Sequence, residues 1–387
     1  MRCADFRVFS LRVQGPRPLP PTAQVILPSC RATTERGLNI GCRGHPCYLD
    51  SVVAHLETID RPGASASAAA AFDSAYDAVI NAAGVLVLED RIVVRVTGDD
   101  RASFFHGMCS ADVKGAKPGS ILPALFLTEH AHVIADAFIW VTRDALMLDI
   151  DSDAWTRTRA HLERLLVADD VEFEDAGELA LIDVEGPAAL DAACSAQAAA
   201  SIAPWRFIEA GKSLIGNLPR YGGPAVSVIA PRDSIDSTIG DILAKAPSSR
   251  RVDSCVLETI RVENGIARIG VDTTDKTIAL EARLHRAISL SKGCYLGQET
   301  IERATARGGL KKRMFGLKFN GAQVPAVGAV VSLAGTEVGR VTSAVRSPRF
   351  GAIGLAILHH SAWTPGVELK IGGDGAAIVT DLPFAQS

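Results

Sequence analysis

A lysine and a thiol stand two positions apart in the stretch Ser291-Lys292-Gly293-Cys294-Tyr295-Leu296-Gly297-Gln298-Glu299-Thr300. Residues i and i+2 of an extended segment point to the same side, so Lys292 and Cys294 can face one pocket. Gly293 between them admits a ligand or a second backbone. A neighbouring cation favours the thiolate, and a helix over the following run, Glu299-Thr300-Ile301-Glu302-Arg303-Ala304, would add partial positive charge near the sulfur. On this reading Cys294 is a candidate nucleophile or ligand, activated by Lys292. The same pair also reads as a buried small hydrophobe beside a solvated surface charge. Spacing alone does not choose between the two.

Two carboxylates stand out for where they are placed. Asp136 interrupts the apolar run Val133-Ile134-Ala135-Asp136-Ala137-Phe138-Ile139-Trp140. An unpaired buried carboxylate is costly, so Asp136 has a partner, an exposed strand face or a pocket, and by strand alternation it shares a face with Ile134 and Phe138, which a plain exposed face would not favour. Glu263 closes an apolar-periodic run just before Asn264-Gly265. Negative charge is disfavoured at a helix C-terminus, so Glu263 is either a solvated end or a bidentate acceptor for ring and amino N–H donors. His130 and His132 lack a third ligand and read as a polar turn, as do His359 and His360. Arg303, Arg307, Lys311, Lys312 and Arg313 form a basic cluster, either a solvated face or a receptor for an acidic ligand tail.

The elements that must position these groups follow from pattern. With 387 residues, 48% of them hydrophobic and 22% charged, the chain has room for two or three domains and sizeable cores. A net charge of -4 argues against electrostatically driven nucleic-acid binding. No run of 18 apolar residues predicts a membrane span. The cysteines are scattered, with no Cys-x-x-Cys, which fits a reducing compartment and neither a zinc ribbon nor a thioredoxin-type site.

Residues 1–75 are arginine-rich, lysine-free and proline-punctuated, and read as a poorly ordered extension, with a transit peptide as the alternative. An Ala-Ser linker leads into a helix over 72–83. Strands are predicted over 85–88, 92–96, 122–127, 133–141, 145–150, 171–173 and 179–184. Helices are predicted over 101–108, 155–167, 187–200, 236–244 and 253–264. Strand pairs mixed with helices, without strict alternation, predict an α+β fold. Beyond residue 311 short apolar runs separated by glycines predict a small β-barrel. The expected division is therefore 1–75, a two-subdomain region 76–310, and a barrel domain 311–387.

The motif Lys292-Gly293-Cys294-Tyr295-x-Gly297-Gln298-Glu299 resembles the signature of the YgfZ/GcvT-like folate-binding family. Other stretches agree: Val96-Thr97-Gly98-Asp99-Asp100 with Phe104, Phe105, Gly107 and Asp112; Leu127-Thr128 through Asp136; Glu258 through Gly270 with Leu280-Glu281-Ala282; and Gly335 through Ser343. The resemblance spans about residues 78–375. Glycine-cleavage aminomethyltransferases resemble the chain too, but carry an Asp-Asp pair where it has Asp136-Ala137, an Arg-Thr-Gly-Tyr-Thr-Gly-Glu motif where it has Pro219 to Pro224, and no Lys-Gly-Cys-Tyr. The chain departs from the YgfZ branch at Glu129-His130-Ala131-His132, where a Pro-Gln-Gly-Arg-like turn is usual.

The resemblance implies a GcvT-like fold of subdomains around a central folate channel and tetrahydrofolate, or a one-carbon-substituted form, as cofactor. It implies Cys294, Lys292 and Asp136 as catalytic candidates, and Glu263, Tyr295, Gln298 and Arg303 as cofactor contacts. The implied role is assembly or repair of iron–sulfur clusters in client enzymes, including tRNA-modifying ones. The alternatives are a tetrahydrofolate-dependent aminomethyltransferase or demethylase, and a non-catalytic folate-binding module. Expected partners are iron–sulfur clients or the cluster-assembly machinery, with no direct nucleic acid, no membrane and a monomeric state. The expected location is the cytoplasm, or the mitochondrial matrix if the N-terminus is a transit peptide.

Overall fold

The computed structural model describes residues 66–321 and 323–385, so the part of the expected extension at 1–65 lies outside the described residues. The first described element is a helix, α1 (Ala66–Asn81). It runs through the boundary expected at residue 76, because Phe72, Tyr76 and Val79 make one apolar stripe at helical spacing that packs on Val252, Val256 and Ile260.

The strand pair β1 (Gly84–Val87) and β2 (Arg91–Thr97) follows, then α2 (Arg101–Met108). Next come β3 (Ser120–Leu127), β4 (Val133–Val141) and β5 (Leu146–Asp151). Asp151 caps α3 (Ser152–Leu165), its carboxylate accepting from the Ala154 amide at 2.9 Å. After β6 (Glu172–Asp175) and β7 (Leu179–Glu185) the alanine-rich segment forms two short helices, α4 (Ala189–Ala193) and α5 (Ala196–Ala199). The single helix predicted over 187–200 breaks because Cys194 is extended and the Ser195 hydroxyl accepts from the Ala198 amide, opening a new turn.

The meander β8 (Arg206–Ala210), β9 (Ser213–Asn217) and β10 (Ala225–Pro231) precedes α6 (Ile235–Lys245), the two-residue β11 (Arg250–Arg251) and α7 (Ser254–Glu263). Residues 264–297 are largely irregular, with one 3₁₀ turn at His285–Ala287, and end in α8 (Gln298–Arg307).

Eleven strands form one sheet in the order β11-β1-β7-β10-β9-β8-β3-β4-β5-β2-β6. Its two halves are joined by a single pairing, Ser120 with Arg206. Alternation along β4 sets the faces: Ala135, Ala137, Ile139 and Val141 pack with Phe104, Phe105 and Trp155 of α2 and α3. Phe138 and Trp140 point the other way, into a core shared with Ile121, Leu181, Phe207 and Ile229. Asp136 stands on this second face, opposite Leu125 of β3.

The remaining strands, β12 (Lys312–Phe319), β13 (Val330–Leu333), β14 (Thr336–Ser347), β15 (Gly351–His359), β16 (Glu368–Ile371) and β17 (Gly375–Thr380), close into the barrel that the glycine-punctuated texture predicts. Phe315, Leu317, Val341, Ala356 and Leu358 are among the residues that fill it. The architecture is mixed α+β with a closed C-terminal barrel.

Candidate functional site

A cleft open to solvent is lined by β2, β3, β4, Arg220 and Tyr221, Glu258 and Arg261 of α7, and the irregular segment 266–287. Its apolar wall is Leu125, Phe138, Ile266 and Leu284. Its charged groups are Asp136, Glu258, Arg91, Arg220, Arg261, Arg268 and Arg286, with Asp90 and Asp151 at one end. An apolar wall with a few convergent polar groups is the usual make-up of a small-molecule site.

Asp136 is half-buried on the cleft wall. Its carboxylate has no hydrogen bond and no ion pair among the described residues, although Arg91 and Arg286 are near enough to feel its charge. Every other guanidinium or carboxylate deep in the cleft is already engaged. Arg261, 3% exposed, grips both oxygens of Glu258, donates to Asp272 Oδ2 at 2.6 Å and to the Ser343 hydroxyl at 2.6 Å. Arg268 donates to Asp90 at 2.7 Å. Arg220 donates to Asp149 at 2.6 Å and lies over the Phe138 ring at 4.7 Å. Burial works against the charge of Arg220, but Asp149 and Asp183 more than offset it and raise its pKa. Burial likewise opposes ionisation of Asp149, and Arg220 and Arg91 outweigh it, holding that carboxyl below the usual range. Asp136 is thus the cleft carboxylate left available to a ligand.

The other residues singled out by sequence are elsewhere. The Lys292 side chain is 8% exposed and faces the main chain: its ammonium donates to the carbonyls of His106, Cys109 and Ala111 at the end of α2 and sits 4.8 Å from the centre of the Tyr295 ring. Desolvation lowers the Lys292 pKa. Cys294 is exposed, and neither it nor Lys292 lines the cleft. The expectation that the two face one pocket is corrected here, because the chain turns between them to bring Lys292 inward. Tyr295 is buried against Leu127 and Val133, and burial pushes its hydroxyl up to about 12. Gln298 caps the loop, its side-chain oxygen accepting from the Tyr295 amide at 3.2 Å. Arg303 is exposed and paired with Glu299 one helical turn away.

Glu263 is also committed. Its carboxylate accepts from the Tyr76 hydroxyl at 2.8 and 3.0 Å and from the Ser347 hydroxyl at 2.5 Å, and it is 4% exposed. It pins α1 and the barrel to the end of α7 rather than lining the cleft. The residues that do line it and were missed, Arg220 and Arg286 above all, sit in loops without periodicity. The partners of Arg220, Asp149 and Asp183, carried the signal that drew attention to Asp136, an acid inside an apolar strand, whereas Arg286 donates to the main-chain carbonyls of Pro219 and Arg220. His130 and His132 meet edge-on at 6.0 Å, and no cluster of three metal-ligating side chains occurs among the described residues.

Three comparisons bear on this architecture. Residues 312–386 match the family described as glycine cleavage T-protein C-terminal barrel domain. The chain superposes on the crystal structure of glycine cleavage system aminomethyltransferase T from Bartonella henselae with a TM-score of 0.73 at 20% identity, over 81% of this chain and 89% of that one. The chain is GcvT-like in fold, with a C-terminal barrel similar to that of the T-protein. Relatives are recognisable by sequence as well. A putative chloroplastic transferase of Arabidopsis thaliana is 27% identical over 328 residues, covering 81% of this chain and 73% of the relative. An aminomethyltransferase of a Nostoc species is 25% identical over 334 residues, covering 81% and 87%.

Proposed function

We propose that the cleft binds a reduced folate and that the protein acts in tetrahydrofolate-dependent one-carbon chemistry of the aminomethyltransferase kind. The observation that carries this reading is the Asp136 carboxylate, unpaired on the wall of a cleft whose other charged side chains each have a partner. Such a group suits a ring rich in N–H donors. The apolar wall of Leu125, Phe138 and Leu284 suits the flat faces of that ring, and Arg286 near the mouth suits an acidic tail. When bound, tetrahydrofolate supplies the amine that carries a one-carbon unit. Asp136 contributes an acceptor that orients an N–H and can hold a proton beside it. Relatives named as aminomethyltransferases support the same class of chemistry.

The test is calorimetric titration of tetrahydrofolate into wild type and Asp136→Asn. A charge-assisted hydrogen bond is worth about 1.5–3 kcal/mol, so the variant should bind roughly ten- to a hundredfold more weakly with an unchanged melting temperature. Equal affinities would remove Asp136 from the ligand, and no heat with wild type would remove folate.

A second reading is an iron–sulfur cluster maintenance factor working on client proteins. It is favoured by one observation: Lys292, Tyr295 and Gly297 fix a loop that presents the Cys294 thiol outward, away from the cleft lining. An outward thiol suits exchange with a partner protein. Restoration of cluster-dependent enzyme activity in a deletion strain by Cys294→Ala would exclude a role for that thiol.

A further inference from the structure

Behind the cleft, three carboxyls and two guanidiniums are buried together. Asp149 and Asp183 are 0% exposed, Glu185 1% and Arg220 4%. Arg91 joins them, its side chain 12% exposed. Asp149 is shared, one oxygen accepting from Arg91 and the other from Arg220 at 2.6 Å. Asp183 accepts from the Ser227 hydroxyl at 2.5 Å, and its second oxygen lies 3.4 Å from Arg220 Nε. Glu185 stands two residues further along β7, on the same side of the strand as Asp183. Its Oε1 has no hydrogen-bond partner among the described residues.

Fully ionised, the three carboxylates would outnumber the guanidiniums within ion-pair distance of the cluster by one, since Arg286 lies further out and donates to the main-chain carbonyls of Pro219 and Arg220, which is a costly arrangement for buried groups. One proton restores neutrality. Asp149 and Asp183 each have a guanidinium within ion-pair distance, and Glu185 has none. We propose that Glu185 is a positioning residue that keeps a proton in the folded protein and shares it with Asp183, so that the pair carries a single negative charge and holds Arg220 against Phe138 on the cleft wall.

Burial, and next the charge of Asp183, push the Glu185 carboxyl well above its ordinary value, with Arg220 and Arg286 acting in the opposite sense. The groups facing it are those of its own strand (Asp183), of the loop before β10 (Arg220), of β10 (Ser227) and of the 3₁₀ turn (Arg286), with Asp149 beyond Arg220. The neighbouring β1 brings no charged residue. Ionising Glu185 adds a second negative charge on the Nε side of Arg220 and draws the guanidinium from Phe138, which stands beside Asp136 in the cleft. The proton itself does not depend on which ligand the cleft takes; its effect on tetrahydrofolate rests on the reading above.

The experiment compares wild type with Glu185→Gln, a neutral mimic of the protonated acid. Infrared spectroscopy at neutral pH should show a protonated-carboxyl stretch in wild type and in Asp136→Asn, absent from Glu185→Gln. A carboxyl with a raised folded-state pKa gives stability that is complete below its unfolded pKa and is lost as pH rises toward the folded one. The melting temperature of wild type should therefore fall relative to Glu185→Gln as pH rises above the ordinary carboxyl value of 4.5. Tetrahydrofolate affinity should weaken at high pH in wild type and stay flat in Glu185→Gln. Absence of the infrared band from wild type, or a stability difference independent of pH, overturns the proposal. Should Glu185→Gln fail to fold, the wild-type spectrum alone decides. If neither protein binds tetrahydrofolate, the folate reading falls while the infrared and melting results still judge the proton.

Discussion

The ammonium of Lys292 donates to the carbonyl oxygen of Cys109 at 2.7 Å, and to that of Ala111 at 2.8 Å. A lysine that sequence presents as the activator of a thiol is a cap on the C-terminal end of α2. Removing it leaves buried carbonyls without a donor, each worth about 1–3 kcal/mol. Lys292→Met should therefore destabilise the protein by roughly 2–4 kcal/mol, read as a lower urea midpoint. A variant that loses activity at unchanged stability would return Lys292 to chemistry.

The two glycines of the same loop differ. Gly297 has φ +87°, and an added Cβ would lie 2.7 Å from the Thr128 carbonyl. Gly293 would meet nothing nearer than His106 Nε2 at 3.7 Å, an ordinary contact. Gly297→Ala should cost about 1–3 kcal/mol, whereas Gly293→Ala should melt within about a degree or two of wild type. Thermal melts of the two variants check this, and equal losses would contradict it.

Arg261 ties the cleft to the barrel. It bonds Glu258, Asp272 and Ser343, while Asp272 also accepts from Thr342 at 2.5 Å, where β14 bulges. Truncation leaves two buried carboxylates without their cation, so Arg261→Ala should lose about 3–5 kcal/mol. Arg261→Lys should recover little of it, since an ammonium cannot reproduce the two-pronged grip on Glu258. Denaturant midpoints of both variants supply the comparison.

Glu263 gives a pH signature. Burial raises its pKa, against the opposing hydroxyls of Ser347 and Tyr76. Its contribution is then complete below the unfolded value near 4.5 and is lost as pH rises through the folded value. The stability of wild type relative to Glu263→Gln should fall as pH rises above 4.5. A difference that grows over that range would show the carboxylate to be stabilised, not strained, by its site.

Much of the fold was legible because its signals are local. Alternation over 133–141 gave β4 with its ends, and glycine-spaced apolar runs gave the barrel. Asp136 was legible for the same reason, as an acid where the pattern demands an apolar side chain. The direction of Lys292 was not, because its partners are main-chain carbonyls far back in the sequence, which no side-chain pattern records. Glu263 misled for a related reason: its partners, Tyr76 and Ser347, come from opposite ends of the described chain. Arg220 was invisible because its two partners, Asp149 and Asp183, come from strands β5 and β7, which are not neighbours in the sheet.

The long sheet ends at two exposed rims, and each is blunted. One rim is β11, two arginines long; the other is β6, Glu172-Phe173-Glu174-Asp175, mostly exposed. A second copy approaching either rim with its own equivalent rim would set like charges opposite one another across the new pairing. Short length and uniform sign thus protect the open half of the molecule against strand addition and aggregation, a protection that the barrel obtains by closing on itself.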